Sequence, residues 1–323
     1  MSAGRITNVA LAGLVLAAFL SGLFANTIGR DWRLDPVVVH GVIALAIVVL
    51  SPWKSVVVRR GLARRRNTRI WSVFLLVSVL ITVASGLAHS GALIDRLLGL
   101  SIMQIHVGVA VVSLALAVAH YRHHPERVRR SDLGRRGFLR LATLTGMASA
   151  LWLSWQRLAS ADRRFTGSHE RGSFDPESLP VTSWLDDRPP RTSASELAIG
   201  EGVIRFDSLG PTERLEAILD CTGGWYSRQV WEGVRLDHLL DSKGEWRSIE
   251  VVSATGYARR FPIGDLDRLW LAVSLGGKPL SIEHGFPARI VAPDRRGFWW
   301  VKWVVTIRPS MVPWWVQSPF PLT

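Results

Sequence analysis

Four runs of nearly unbroken apolar residues fill most of the first 121 positions: Asn8 to Ala25, Pro36 to Val58, Ile70 to Ala88 and Met103 to Tyr121. Each is long enough for a helix to cross a hydrocarbon layer of about 30 Å, which takes about 20 residues. A fifth run, "FLRLATLTGMASALWLSWQRL", is less apolar. After about Ala161 the pattern breaks, and "DRRFTGSHERGSFDPESLPVTSWLDDRPPRTS" is polar, proline-rich and aperiodic, as a linker is. Beyond it, the short runs "SIEVVSAT", "LWLAVSL", "ARIVAP" and "WWVKWVVTI" stand between glycines and prolines and read as strands joined by turns. Only "PTERLEAIL" and "VRLDHLL" read as helical there. The pattern predicts an N-terminal transmembrane α-helical bundle of about five helices and a C-terminal α+β, mainly β, domain. The divisions are 1–134 for four membrane helices, 135–160 for a basic motif and the fifth helix, 161–196 for the linker and 197–323 for the last domain.

Charge gives the helices a direction. The chain of 323 residues carries a net charge of +13 with 48% hydrophobic residues, a combination foreign to an ordinary soluble domain. The basic residues cluster between apolar runs and form no stripe on one domain, which argues against a nucleic-acid partner and for membrane lipid. Lys54, Arg59, Arg60, Arg64, Arg65, Arg66 and Arg69 come after the second run. Arg122, Arg127, Arg129, Arg130, Arg135, Arg136 and Arg140 come after the fourth. Both connections are therefore expected on the cytoplasmic side, with the N-terminus. The last domain is expected on the extracytoplasmic face of the cytoplasmic membrane.

The stretch "SDLGRRGFLRLA" resembles a twin-arginine export signal, which implies that the chain downstream of it crosses the membrane folded and loaded with cofactor. Arg135 and Arg136 also serve as two more cytoplasmic charges, and that plainer reading stays open. "LASADRR" resembles a small-residue cleavage site, but a cut there would detach the last domain, so the fifth helix is expected to stay.

Imidazoles inside apolar helices are costly and point to function. His106 and His120 lie 14 residues apart on one predicted helix, about 21 Å in height and nearly on one face. For His106 two partners lie at the same depth, His40 and His89, and His40 is the better buried by position. One b-type haem between His40 and His106 is the economical expectation. His120, with His123 and His124 nearby, has no clear inner partner, so a second haem is left open. The region from "SGLAH" to "IHVGVAVVSLALAVAHYRHH" is similar in pattern to membrane b-type cytochromes that exchange electrons with quinones.

The chain has one cysteine, Cys221, in "DCTGGW". A lone cysteine outside the cytoplasm is an inert buried thiol, a nucleophile or a metal ligand, and His238 and His284 are available as bases. Together with "GKPLSIEHGFPARIVAP" and "GFWWVKWVVTI", this stretch resembles the molybdopterin domain of the sulfite oxidase family, most closely its exported bacterial reductase branch. The resemblance runs from about Leu219 to Ile307, and "EHGFPAR" followed by "VKW" is its specific part. It implies that Cys221 is the thiolate ligand of molybdenum and that His284, Arg289 and Lys302 anchor the molybdopterin cofactor. Tyr257, in "SATGYARRFP", falls near the family's pocket motif and is a further catalytic candidate.

Two departures bear on substrate. Sulfite-oxidising members place arginines shortly after the cysteine, where this chain reads "GGWYSR" with Trp225 and Tyr226. They also carry a tyrosine beyond "VKW" that the tail "RPSMVPWWVQSPFPLT" lacks. The resemblance, with the helices, implies a membrane-anchored molybdenum oxidoreductase passing electrons between quinone, haem b and molybdopterin. Its expected reaction is reduction of S- or N-oxides such as methionine sulfoxide, on a small molecule or an oxidised protein. Oxidation of a small sulfite-like substrate with electrons passed to quinone is the alternative. A non-catalytic receptor or assembly protein that keeps only the fold is another.

Overall fold

The computed structural model describes residues 3–30, 35–62, 69–123, 125, 135–159, 162–182, 187–188, 190, 194–209, 212–240 and 244–318. The chain divides into two compact units. One comprises Met1–Asn26 and Asp31–His169, the other Thr27–Arg30 and Glu170–Thr323.

The first unit is built from five helices: α1 (Ala3–Thr27), α2 (Pro36–Leu62), α3 (Arg69–Ser90), α4 (Ile102–His123) and α5 (Arg135–Ala159). Their ends are set by local chemistry. Asp35 accepts from the backbone N–H groups of Val37 (2.8 Å) and Val38 (3.1 Å), and Pro36 takes the first helical position, where a missing N–H costs nothing. Ser101 and Gln104 exchange reciprocal bonds of 2.8 and 3.1 Å across the start of α4, a capping box. By length and composition, Arg5–Thr27, Pro36–Lys54, Ile70–Ser90 and Ile102–His123 suffice to cross a membrane. Their exposed apolar side chains, among them Leu20, Phe74, Leu80 and Val112, are compatible with a membrane anchor.

The fifth helix forms as the sequence suggests, but among the described residues only the four earlier ones reach the apolar length of a crossing. Arg140 and the polar Thr143, Thr145, Ser149 and Ser154 lower its hydropathy below that of the other four. It is anchored to α2 by Trp152, whose ring lies where a Cβ on Gly41 would be 2.3 Å away, and Trp155 Nε1 donates to Ser90 Oγ at 2.8 Å. Arg127, Arg129, Arg130, His124 and the loop arginines Arg64, Arg65 and Arg66 lie outside the described residues, as do the first four residues of the export-like stretch.

The second unit is mainly sheet. Its strands are β1 (Glu196–Ile199), β2 (Gly202–Arg205), β3 (Glu213–Cys221), β4 (Trp225–Arg235), β5 (Ser248–Ser253), β6 (Ala258–Pro262), β7 (Trp270–Leu275), β8 (Lys278–Pro279), β9 (Arg289–Val291) and β10 (Val304–Ser310). In one sheet β4 lies between β3 and β7, and β7 also pairs with β8 and β9. The second runs β2-β1-β10-β5-β6, with only β1 and β10 parallel. Leu197, Trp231, Val251, Phe261, Leu271 and Ile307 are among the buried residues of the core.

Two expectations are corrected by the strands. "PTERLEAIL" forms strand β3 where a helix was read, because Leu215, Ala217 and Leu219 alternate into the core. On the other face Arg214 pairs with Glu232 across the hairpin (2.8 Å) and Arg228 with Glu216 (2.9 Å). In "WWVKWVVTI" the first half is a 3₁₀ turn and loop, and the strand begins only at Val304. "VRLDHLL" does contain a short helix, Leu236–Leu239.

Candidate functional site

The β3–β4 hairpin sets the position of the cysteine. Cys221 ends β3 and Trp225 opens β4, directly opposite in register, so both side chains point to the same face. The three-residue turn between them needs Gly224 at φ +90°. Cys221 Sγ accepts a bond from the backbone N–H of Gly223 at 3.3 Å. Behind the thiol, buried Arg296 pairs with buried Asp220 and donates through Nη2 to the carbonyl of Cys221 at 3.1 Å. That pair fixes the backbone that carries the sulfur.

Cys221, Tyr257, His284, Arg289 and Lys302 all line one cavity, together with Thr182, Asp187, Trp225, Phe298 and Trp300. The structure therefore brings together every residue expected of the second unit. Arg289, 2% exposed, donates to the carbonyls of His284 (3.2 Å) and Trp300 (3.3 Å) and lies over the rings of Trp231 and Trp300. Among the described residues, its Nε is buried with no hydrogen-bond partner. Lys302 Nζ donates to the carbonyls of Glu283 (2.8 Å) and Thr182 (3.2 Å). His284 donates from Nε2 to the carbonyl of Leu179 at 3.1 Å, and its Nδ1 is 2.8 Å from Ser281 Oγ. Gly285, at φ +112°, lets Arg289 and Lys302 come together. A Cβ there would sit 3.1 Å from Arg289 Cβ and 3.2 Å from Lys302 Cβ.

The electrostatics of the cavity ask for an anion. Burial pulls Arg289 down to about 9 and Lys302 down to about 8, and for each the neighbouring Cys221 acts in the opposite sense. Burial, then Arg289, lowers His284, which leaves it neutral at pH 7. Burial raises the Cys221 thiol, with the Gly223 N–H the main opposing influence. A soft thiolate donor beside a buried arginine with an unsatisfied N–H and a half-buried lysine suits a metal on a sulfur ligand that also bears a phosphate. The residues present thus fit a molybdenum-molybdopterin group.

Tyr257 is differently committed. Its hydroxyl donates to the carbonyl of Phe298 and accepts from Arg259 Nε at 2.9 Å, and burial raises it. Thr182, Asp220 and Arg296 are site residues that the sequence reading missed. Thr182, which accepts from Trp225 Nε1 at 3.1 Å, lies in the stretch read as linker, where Leu179 is also core. Asp220 adjoins the cysteine and Arg296 adjoins "GFWW", the only signal that either gave.

In the helical unit, the rings of His40 on α2 and His106 on α4 meet edge to face with centroids 5.9 Å apart. His89 does not join them. Its Nε2 donates to the carbonyl of Gly167 at 3.0 Å, and its ring lies against that of His169 at 5.1 Å. His120 Nδ1 is 3.4 Å from Ser72 Oγ on α3.

Part of the sheet unit is similar to known proteins. Residues 207–314 match the family described as oxidoreductase molybdopterin binding domain, so the sheet unit carries a molybdopterin-binding domain of the oxidoreductase kind. The uncharacterized oxidoreductase YuiH of Bacillus subtilis (strain 168) is 31% identical over 111 residues, which are 32% of this chain and 56% of that protein. The chain thus spans little more than half the length of that relative. The sulfane dehydrogenase SoxCD from Paracoccus pantotrophus superposes at 26% identity with a TM-score of 0.36, over 38% of this chain and 40% of that one.

Proposed function

We propose that the chain is a membrane-anchored molybdenum oxidoreductase that reduces S- or N-oxides such as methionine sulfoxide with electrons from the quinone pool. The observation that carries this reading is the placement of Cys221 in one cavity with Arg289, Lys302 and His284, inside the stretch that matches the molybdopterin-binding family. Molybdenum bound there supplies oxygen-atom transfer coupled to a two-electron change. The chain's own part is to hold and to select. Cys221 Sγ is the metal ligand, with the Gly223 N–H stabilising its thiolate form. Arg289 and Lys302 bind the cofactor's phosphate, and His284, lowered by burial and by Arg289, is oriented in the same cradle by its Nε2 bond to the Leu179 carbonyl.

Trp225, Tyr257, Phe298 and Trp300 make the rim of the cavity aromatic. Such a rim favours a neutral oxide over a small inorganic anion and excludes bulk water. In the overall reaction the S=O or N–O bond breaks and the oxygen leaves as water. A quinol-class donor supplies two electrons and two protons and becomes quinone. We place one b-type haem between His40 and His106 as the carrier from the quinol. We place the N-terminus in the cytoplasm and the sheet unit on the extracytoplasmic face, delivered by the twin arginine at Arg135 and Arg136.

Elemental analysis of the purified full chain, beside Cys221→Ser, tests the reading. Molybdenum near one per chain in the parent and near zero in the variant is expected, as is turnover of methionine sulfoxide with a reduced dye in the parent alone. A parent free of molybdenum, or a variant with its full complement and activity, refutes it.

A further inference from the structure

The two histidines of the helical unit are held by the same local device, repeated. Helix α1 carries Ala18, Ser21 and Gly22, and helix α3 carries Thr82, Ser85 and Gly86, at positions i, i+3 and i+4. These positions share one helix face. In α1, Ser21 Oγ donates to the carbonyl of Ala18 at 3.0 Å, so its remaining capacity is to accept, and His40 Nδ1 lies 3.1 Å away. In α3, Ser85 Oγ donates to Ile81 and Thr82 carbonyls at 2.7 and 3.0 Å, and His106 Nδ1 lies 3.4 Å from that oxygen and 2.9 Å from the Thr82 carbonyl. A carbonyl only accepts, so His106 carries its proton on Nδ1, and the committed serine imposes the same on His40.

The glycines complete the parallel. A Cβ on Gly22 would lie 2.9 Å from His40 Cε1, and a Cβ on Gly86 would lie 2.9 Å from His106 Cε1. Each ring rests in a hollow that any side chain would fill. Both Nε2 atoms are left with a lone pair, and the ring centroids are 5.9 Å apart. Two imidazoles on one metal, each bonded at about 2 Å as for zinc, have centroids roughly 6 Å apart. Fixing the tautomer of a ligating histidine through its other nitrogen is how metal sites are tuned.

We propose that Ser21–Gly22 and Ser85–Gly86 are paired positioning elements, one per helical hairpin, that present His40 and His106 as matched Nε2 ligands to a single haem. This rests on the assignment of a haem to His40 and His106. The residues act on the iron only through the histidines, with the Thr82 carbonyl sharing the work on the His106 side.

The test uses the full chain purified in detergent from haem-sufficient cells, with haem per chain, low-temperature EPR of the oxidised haem, and molybdenum content as an independent measure of folding. Gly22→Val and Gly86→Val are each expected to lower haem per chain at least tenfold with molybdenum unchanged. Ser21→Ala and Ser85→Ala avoid the steric problem. Ser21→Ala, which removes the hydroxyl bonded to His40 Nδ1, is expected to weaken haem retention by about 10- to 100-fold and to change the EPR g values of what remains. Ser85→Ala, which leaves the Thr82 carbonyl on His106 Nδ1, is expected to change the g values with a smaller loss, while Ser21→Thr and Ser85→Thr restore the parental signal. Ser51→Ala, whose hydroxyl bonds its own helix at Ile47, is the control and should match the parent. Parental haem content and g values in both alanine variants overturn the proposal while leaving the haem assignment standing. A haem-free parent overturns both.

Discussion

The two units bury their metal-seeking side chains in opposite ways. In the helical unit the proposed ligands, His40 and His106, are imidazoles, and hydrogen bonds to Ser21, Ser85 and the Thr82 carbonyl offset the cost of removing them from water. In the sheet unit the proposed ligand is a thiol that would bind as an anion, and the fold surrounds it with Arg289 and Lys302, cations destabilised by that same burial. The helical site is close to balanced as it stands. The sheet site carries an excess of positive charge that a bound anion relieves. The contrast implies that removing a ligand from one should leave the other intact, and that only the sheet site should become strained when its cofactor is missing.

The sharpest break is at the ligands themselves. His40→Ala and His106→Ala are each expected to abolish b-type absorbance while molybdenum content stays at the parental level. Arg289→Gln should do the converse, lowering retained molybdenum by about tenfold or more with the haem spectrum untouched. Loss of both cofactors from any one of these variants would show that the units are loaded together, and the contrast would fail.

Next in size is the support behind the thiol. Asp220→Asn leaves Arg296 as a buried charge without its carboxylate, and breaking a buried pair in this way costs about 3–5 kcal/mol. Denaturation of the sheet unit monitored by tryptophan fluorescence should show it. A loss under about 1 kcal/mol would mean that the carboxylate is not what keeps Arg296 satisfied.

Much of this was legible in the sequence because the chemistry was rare. A single cysteine, "EHGFPAR" and "VKW" point to one cavity, and of the two histidines at the depth of His106, burial by position favours His40, whose ring does meet that of His106. What stayed hidden depends on distant pairing. Thr182 enters the cavity from a stretch with no periodicity, and Arg296 reaches Asp220 across the fold. His169, which lies against His89, belongs to a polar stretch far along the chain. Glu213, Arg214, Leu215, Glu216 and Ala217 are good helix formers one by one, and the strand wins because β4 supplies cross-strand partners along their length.

The smallest effect expected is one of pH, and it tests the strain directly. Lys302 falls from an ordinary 10.5 to about 8 in the folded protein, chiefly through burial. Between those values the unfolded chain binds a proton that the folded chain has released. Stability therefore rises with pH across that window, and the destabilisation is complete only below about 8. Arg289 acts in the same sense from about 9 upward. Cofactor-free protein, obtained from cells starved of molybdenum, should gain stability from pH 8 to 10, and Lys302→Met should flatten that gain. The loaded protein should show less of it, since an anion beside Lys302 favours the charged amine and lifts its pKa back. Equal slopes with and without cofactor would mean that the phosphate does not sit against Lys302, and the anchoring role would then pass to Arg289 alone.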